Sequence, residues 1–214
     1  MKILHIDSSI MGDNSVSRQL SKTIVERIEA DHDEFETTYL DLARDPVQHL
    51  SGELFAAQAS APEHRTADQQ RDIDHGAKIM NDFLAADIIV IGAPMYNFSV
   101  PSQLKAWIDR VAVAGKTFRY TEKGPEGLAG GKKVVIVSSR GGFYGPDTPA
   151  APMDHQEPYL RAVFGFLGIT DIEYVRAEGI AMGPDHRQSA LDNAMSTIAS
   201  QCDKAKANRQ AVAS

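Results

Sequence analysis

A single cysteine, Cys202, is all the thiol this 214-residue chain contains. One cysteine excludes an intramolecular disulfide, a Cys-based iron–sulfur cluster and a Cys-rich zinc site. Long apolar runs are missing too. The first run, Ile3 to Ile6, is too short for a signal-peptide core or a membrane span, and no later stretch reaches bilayer length. Positive charge is in deficit. The formal net charge is −7 with no dense Lys/Arg block, which disfavours nucleic acid and anionic membranes as partners. No targeting signal is read, so a cytoplasmic location is expected.

Several catalytic signatures are also absent. There is no G-x-G-x-x-G, no G-x-S-x-G elbow and no Cys-x5-Arg loop. Gly130-Gly131-Lys132-Lys133 lacks the Ser or Thr and the upstream glycine of a P-loop. The seven histidines are scattered, with no i, i+4 pair, so no metal site is expected. Redox chemistry, if present, must come from a bound organic cofactor.

What is there is an alternation of strand and helix along the whole chain. Strands are expected at Lys2–Asp7, Phe35–Leu42, Ile88–Ala93, Val134–Ser138 and Ile172–Ala177. Helices are expected at Ser15–Ile28, around Leu54–Ala59, at Ala67–Leu84, Pro101–Ala114, Tyr159–Leu167 and from Asp185 onward. Gly115 to Gly131 reads as an excursion from the core. The loop holding Pro146, Pro149, Pro152 and Pro158 is long enough to be functional or mobile. The pattern predicts one α/β domain over residues 1–214. Its expected form is a flavodoxin-like three-layer sandwich with a five-stranded parallel sheet in the order 2-1-3-4-5.

Ile88-Ile89-Val90-Ile91 followed by Gly92-Ala93-Pro94-Met95-Tyr96-Asn97-Phe98 reads as a buried strand that stops in an aromatic loop. In such sheets ligands bind at the carboxyl ends of strands. Three loops converge there. The first holds Ser8, Ser9, Asn14, Ser15 and Ser17 ahead of a helix, which suits either simple capping or a phosphate group. The second is Pro94 to Phe98. The third is Ser139-Arg140-Gly141-Gly142, where the glycines would let backbone approach a flat ring or would merely turn the chain. Arg140 suits either neutralising a ligand's charge or a structural ion pair. Cys202 shares a helix face with Leu191, Met195 and Ile198, as a buried thiol does, and Asp154-His155 is expected in solvent. Trp107 with Leu104, Ile108 and Val111 forms a core or dimer stripe.

Pro94-Met95-Tyr96-Asn97-Phe98, Pro101-Ser102-Gln103-Leu104-Lys105, Thr117-Phe118-Arg119-Tyr120-Thr121-Glu122 and Ser138-Ser139-Arg140-Gly141-Gly142 resemble the FMN-dependent NADH-azoreductases. So do Gly124-Pro125-Glu126-Gly127-Leu128, Gly165 to Asp171 and Ala177 to Ala181, so the resemblance covers nearly the whole chain. It implies a flavodoxin-like homodimer with FMN at the dimer interface, reducing azo compounds and quinones with NADH or NADPH. Ser9, Ser15, Val16 and Ser17 would hold the phosphate. Met95, Tyr96, Asn97 and Phe98, with Ser139, Arg140, Gly141 and Gly142, would flank the flavin. Tyr120, Phe164 and Phe166 resemble substrate-pocket residues. Residues 55–65 and 143–158 depart from the pattern. The resemblance implies flavin-centred chemistry with no obligatory catalytic side chain, run as an alternating two-electron hydride cycle. The alternative is a flavodoxin-type single-electron carrier.

Overall fold

The computed structural model describes residues 1–213, with side chains described as far as Ala207. Five parallel strands form one sheet: β1 (Lys2–Asp7), β2 (Glu36–Asp41), β3 (Ile88–Pro94), β6 (Lys133–Ser139) and β7 (Asp171–Ala177), in the spatial order β2-β1-β3-β6-β7. All four pairings are parallel. The central strands are buried on both faces, and their alternation assigns each face its core. Leu4, Ile89, Ile91, Val134 and Ile136 pack into one apolar cluster, while Ile3, Val90, Val135 and Val137 pack into the other.

Helices α3 (Ala67–Ala85), α4 (Ser102–Val111) and α5 (Glu157–Phe166) cover the first face through Phe83, Trp107, Leu160 and Phe164. Helices α1 (Val16–Ala30) and α6 (Pro184–Ala213) cover the second through Leu20, Ile24, Ala194 and Ile198. Cys202 packs half-buried against this second cluster. Trp107 is fully buried and meets Phe83 edge to face at 5.8 Å. Short α2 (Gly52–Ala59) is capped by Ser51, and a reciprocal Thr66–Gln69 capping box starts α3.

The 115–131 excursion is more ordered than its glycines suggest. It contains an antiparallel hairpin, β4 (Phe118–Thr121) with β5 (Gly124–Gly127). Gly127 lies flat on the Leu167–Gly168 backbone, where any Cβ would collide. The hairpin is thus docked through a missing side chain, a device that β propensity does not report. Helix α4 is shorter than its apolar pattern, because the Thr117 hydroxyl donates to Val111 O at 2.6 Å and closes the helix there. Among the described residues no helix is long and apolar enough to cross a membrane.

Candidate functional site

Loop one begins where β1 delivers Ser8 and Ser9, both buried. The Ser8 N–H and hydroxyl both donate to Gly92 O, at 3.2 and 2.8 Å. Ser15 is the N-cap of α1 and accepts from Arg18 N at 3.3 Å, and its hydroxyl lies 3.0 Å from that of Ser17. Helix geometry leaves the N–H groups of Val16 and Ser17 without intrahelical acceptors. The first turn of α1 carries no carboxylate to offset the positive end of its dipole. Capping and anion binding are therefore compatible here: Ser15 satisfies one donor and the turn still offers others.

Loop two is a tight turn. Asn97 and Phe98 have φ of 47° and 71°, and Tyr96 and Ser99 exchange both backbone hydrogen bonds, at 2.9 and 3.1 Å. Two successive positive φ angles are the geometry of a type I′ turn, tolerated by Asn and strained for Phe. Phe98 is left 40 % exposed, edge to face with Tyr144 at 6.2 Å. The Tyr96 phenol oxygen accepts from Ile10 N at 3.2 Å and lies 3.2 Å from Ser9 Oγ. Met95 N donates to Ser139 O at 2.8 Å, which ties loop two to loop three.

In loop three the backbone and side chain of Arg140 have separate jobs. Arg140 N donates to Ala177 O at 2.8 Å, and Gly141 O and Gly142 O accept from Ala181 N and Gly179 N. The N–H groups of Gly141 and Gly142 are left without a protein acceptor among the described residues. The Arg140 guanidinium is 1 % exposed and turned into the protein. It meets Asp154 at 2.9 Å, Glu157 at 2.8 Å and Glu178 at 3.2 Å, and its Nε donates to Ser138 Oγ at 2.8 Å. Of its two possible roles, the structural ion pair is the one its surroundings fill. Asp154 is not in solvent as its sequence suggests. Besides Arg140, it accepts from Gln156 N and Glu157 N at the start of α5. His155 is exposed, its N–H donating to Phe98 O at 2.9 Å.

Of the three expected pocket aromatics, Phe164 and Phe166 lie on α5 and Tyr120 on β4. Phe164 is fully buried in the core under the sheet, at an inward helix position of period 3.6. Phe166 packs on Phe118 at 4.6 Å, and Tyr120 stands 75 % exposed on the hairpin, edge to face with Phe118. Beside loop two lies a cleft of about 510 Å³ bordered by Ile10, Tyr96, Asn97, Val100, Gln103 and Tyr159. Burial and nearby Asp109 push the Tyr159 phenol up to about 12.

Sequence reasoning passed over Arg18, Ile10, Gln156 and Tyr159. Gln156 is fully buried and bridges Ala93 O and Ser138 Oγ. Only Arg18 left a readable trace, as a cation in the first turn of a helix, where the dipole disfavours it.

The loop arrangement at the carboxyl edge of a doubly covered parallel sheet defines a flavodoxin-like protein. The flavodoxin-like fold family matches residues 1–202. An FMN-dependent NADH:quinone oxidoreductase of Rhizobium meliloti is 59% identical over 199 residues, covering 93% of this chain and 96% of its own. FMN-dependent NADH:quinone oxidoreductase 2 of Bradyrhizobium diazoefficiens is 54% identical over 200 residues, covering 94% and 98%. A crystal structure of an FMN-dependent NADH-azoreductase from Bacillus anthracis in complex with FMN superposes with a TM-score of 0.85 at 28% identity, covering 95% of this chain and 98% of that one. The chain belongs to this flavodoxin-like family of FMN-dependent NADH:quinone oxidoreductases.

Proposed function

We propose that the protein is a single-domain, homodimeric FMN-dependent oxidoreductase that passes electrons from NADH, or NADPH, to quinones and azo compounds. The residues fit FMN. A helix start with open N–H groups and three serine hydroxyls suits a dianionic phosphate, and two glycine amides without an acceptor among the described residues suit the hydrogen-bonding edge of a planar ring. The observation that carries the reading is this meeting of an unneutralised helix N-terminus with loops two and three at one sheet edge, tied together by the Ser9–Tyr96 and Met95–Ser139 contacts.

Ser9, Ser15, Val16 and Ser17 would hold the phosphate. Met95 to Phe98 would flank one side of the ring, and the Gly141 and Gly142 N–H groups would stabilise negative charge along its polar edge. Ser139 and Arg140 shape the third loop from beneath. Bound FMN supplies two-electron hydride transfer that the side chains of this protein cannot. With that group held, donor and acceptor would reach it in turn, and water would supply the product's protons. Exposed Ile10, Met11, Phe98, Phe143 and Tyr120 offer apolar surface for a second copy.

The deciding experiment is the absorption spectrum of the protein as purified, with the released flavin identified, followed by stopped-flow mixing with NADH and then menadione. Bound FMN, bleached by NADH at least as fast as the enzyme turns over and restored by menadione, is expected. A colourless protein with no affinity for FMN refutes the reading. Bleaching slower than turnover refutes the alternating cycle. A single-electron carrier would instead fail to sustain NADH oxidation by menadione.

A further inference from the structure

Arg18 is an odd residue for its position. It is the third residue of α1, where a cation opposes the helix dipole. Its side chain is only 15% exposed. Both terminal nitrogens bind the Asp41 carboxylate at the end of β2, at 2.7 and 2.6 Å. The remaining edge, Nε and Nη2, donates to the backbone oxygen of Ser9 at 3.2 and 2.8 Å. Nη1 also reaches the Tyr39 hydroxyl at 3.1 Å, with Asp7 at 3.9 Å. A planar fork with five N–H groups can serve a carboxylate and a carbonyl at once, and a lysine cannot.

The consequence falls on loop one. With Ser9 O held from behind, the Ser9 hydroxyl accepts from Met11 N at 3.2 Å and faces Tyr96 Oη, while Ile10 N donates to that same oxygen. A continuous polar chain therefore runs Asp41–Arg18–Ser9–Tyr96, from the edge strand through the start of α1 to loop two. Asp41 also takes up the charge of Arg18. The Arg18 guanidinium holds the Asp41 carboxyl below the usual carboxylate range, and Asp41 in turn raises Arg18.

We propose that Arg18, anchored by Asp41, is a positioning residue for the phosphate of the flavin. It fixes the Ser9 segment so that the Ser9 hydroxyl and the first-turn N–H groups of α1 converge on one anion. This rests on the FMN reading above, and it goes further by separating phosphate recognition from ring recognition. A simple structural strut would affect both alike.

The test uses full-length holoenzyme dialysed to equilibrium against graded FMN or graded riboflavin, which lacks the phosphate. The readout is the ratio of the two dissociation constants. In Arg18→Gln and Arg18→Lys the preference for FMN over riboflavin is expected to shrink roughly tenfold or more, the scale of losing charge-assisted hydrogen bonds, while riboflavin affinity holds. Asp41→Asn, which keeps Arg18 but loosens its anchor, is expected to fall between. Added guanidinium ion should restore FMN binding in Arg18→Ala beyond an equal concentration of sodium. FMN and riboflavin weakening in parallel, or an unchanged ratio, overturns the proposal. If the Arg18 variants fail to fold, Asp41→Asn decides by the same ratio. Wild-type protein that binds neither flavin refutes the FMN reading itself, a result distinct from any ratio.

Discussion

The Ser9 hydroxyl lies 3.2 Å from the Tyr96 phenol oxygen, bridging 87 positions of sequence and joining the loop after β1 to the loop after β3. That oxygen also accepts Ile10 N, so one phenol fixes two atoms of the opposite loop. Tyr96→Phe removes both bonds and leaves the ring in place. Each net hydrogen bond is worth about 0.5–1.5 kcal/mol, and Ile10 is well exposed, so water replaces part of the loss. The variant should lose about 1 kcal/mol in urea unfolding. FMN should leave the holoenzyme several-fold faster, at a rate measured by fluorescence on dilution.

Phe98 carries a different kind of cost. Its φ of 71° places a bulky side chain in the left-handed region, and its carbonyl is tied to His155 N while its ring meets Tyr144. Comparing Phe98→Ala with Phe98→Gly separates backbone from ring, because both delete the ring and only Gly relieves the backbone. The Gly variant should be the more stable by roughly 1 kcal/mol in equilibrium unfolding. Both should turn over NADH with menadione more slowly than wild type. If Ala and Gly variants melt alike, the turn is not strained at Phe98.

Much of the fold is legible in the sequence. Four β-branched residues at Ile88–Ile91 announce a doubly buried strand, and Pro94 marks where pairing must stop; both hold in β3. Ser15 or Ser17 reads as the cap of α1, and Ser15 is the one that fills it. Local chemistry could not tell where long side chains go once the chain folds. Arg140 sits beside two glycines in sequence, yet its charge is spent on carboxylates 14, 17 and 38 positions away. Phe164 and Phe166 differ by two residues, which on a helix sends one into the core and the other to its margin. The hairpin at 118–127 escaped notice because Gly-Pro-Glu-Gly has poor strand propensity and is held by docking on Gly168.

Arg140 also gives a sharp expectation. Its guanidinium is buried among Asp154, Glu157 and Glu178, with Arg176 sharing Glu157 at 2.7 Å. Arg140→Gln removes the cation and strands those carboxylates in a region of low polarity. Breaking a buried pair from one side costs about 3–5 kcal/mol, so the variant should be severely destabilised in urea. A loss below about 1 kcal/mol would mean that water reaches the cluster freely.

Tyr39 links the edge strand to alkaline stability. Its hydroxyl donates to Asp7 Oδ2 at 3.1 Å, and its pKa is pushed up to about 12, first by burial and then by the Asp7 carboxylate. The unfolded chain ionises this phenol near the ordinary value of 10, whereas the folded chain resists until about 12. Tyr39 therefore contributes its full share of stability below pH 10 and loses it progressively as pH rises toward 12. Tyr39→Phe cannot ionise, so its unfolding free energy should fall less steeply than wild type across pH 10–12, read by chemical denaturation at each pH. Below pH 10 the variant should sit lower by about 1 kcal/mol for the lost bond to a buried carboxylate. Parallel curves over the whole range would mean that Tyr39 titrates as a free phenol and that its contact with Asp7 does not hold in solution.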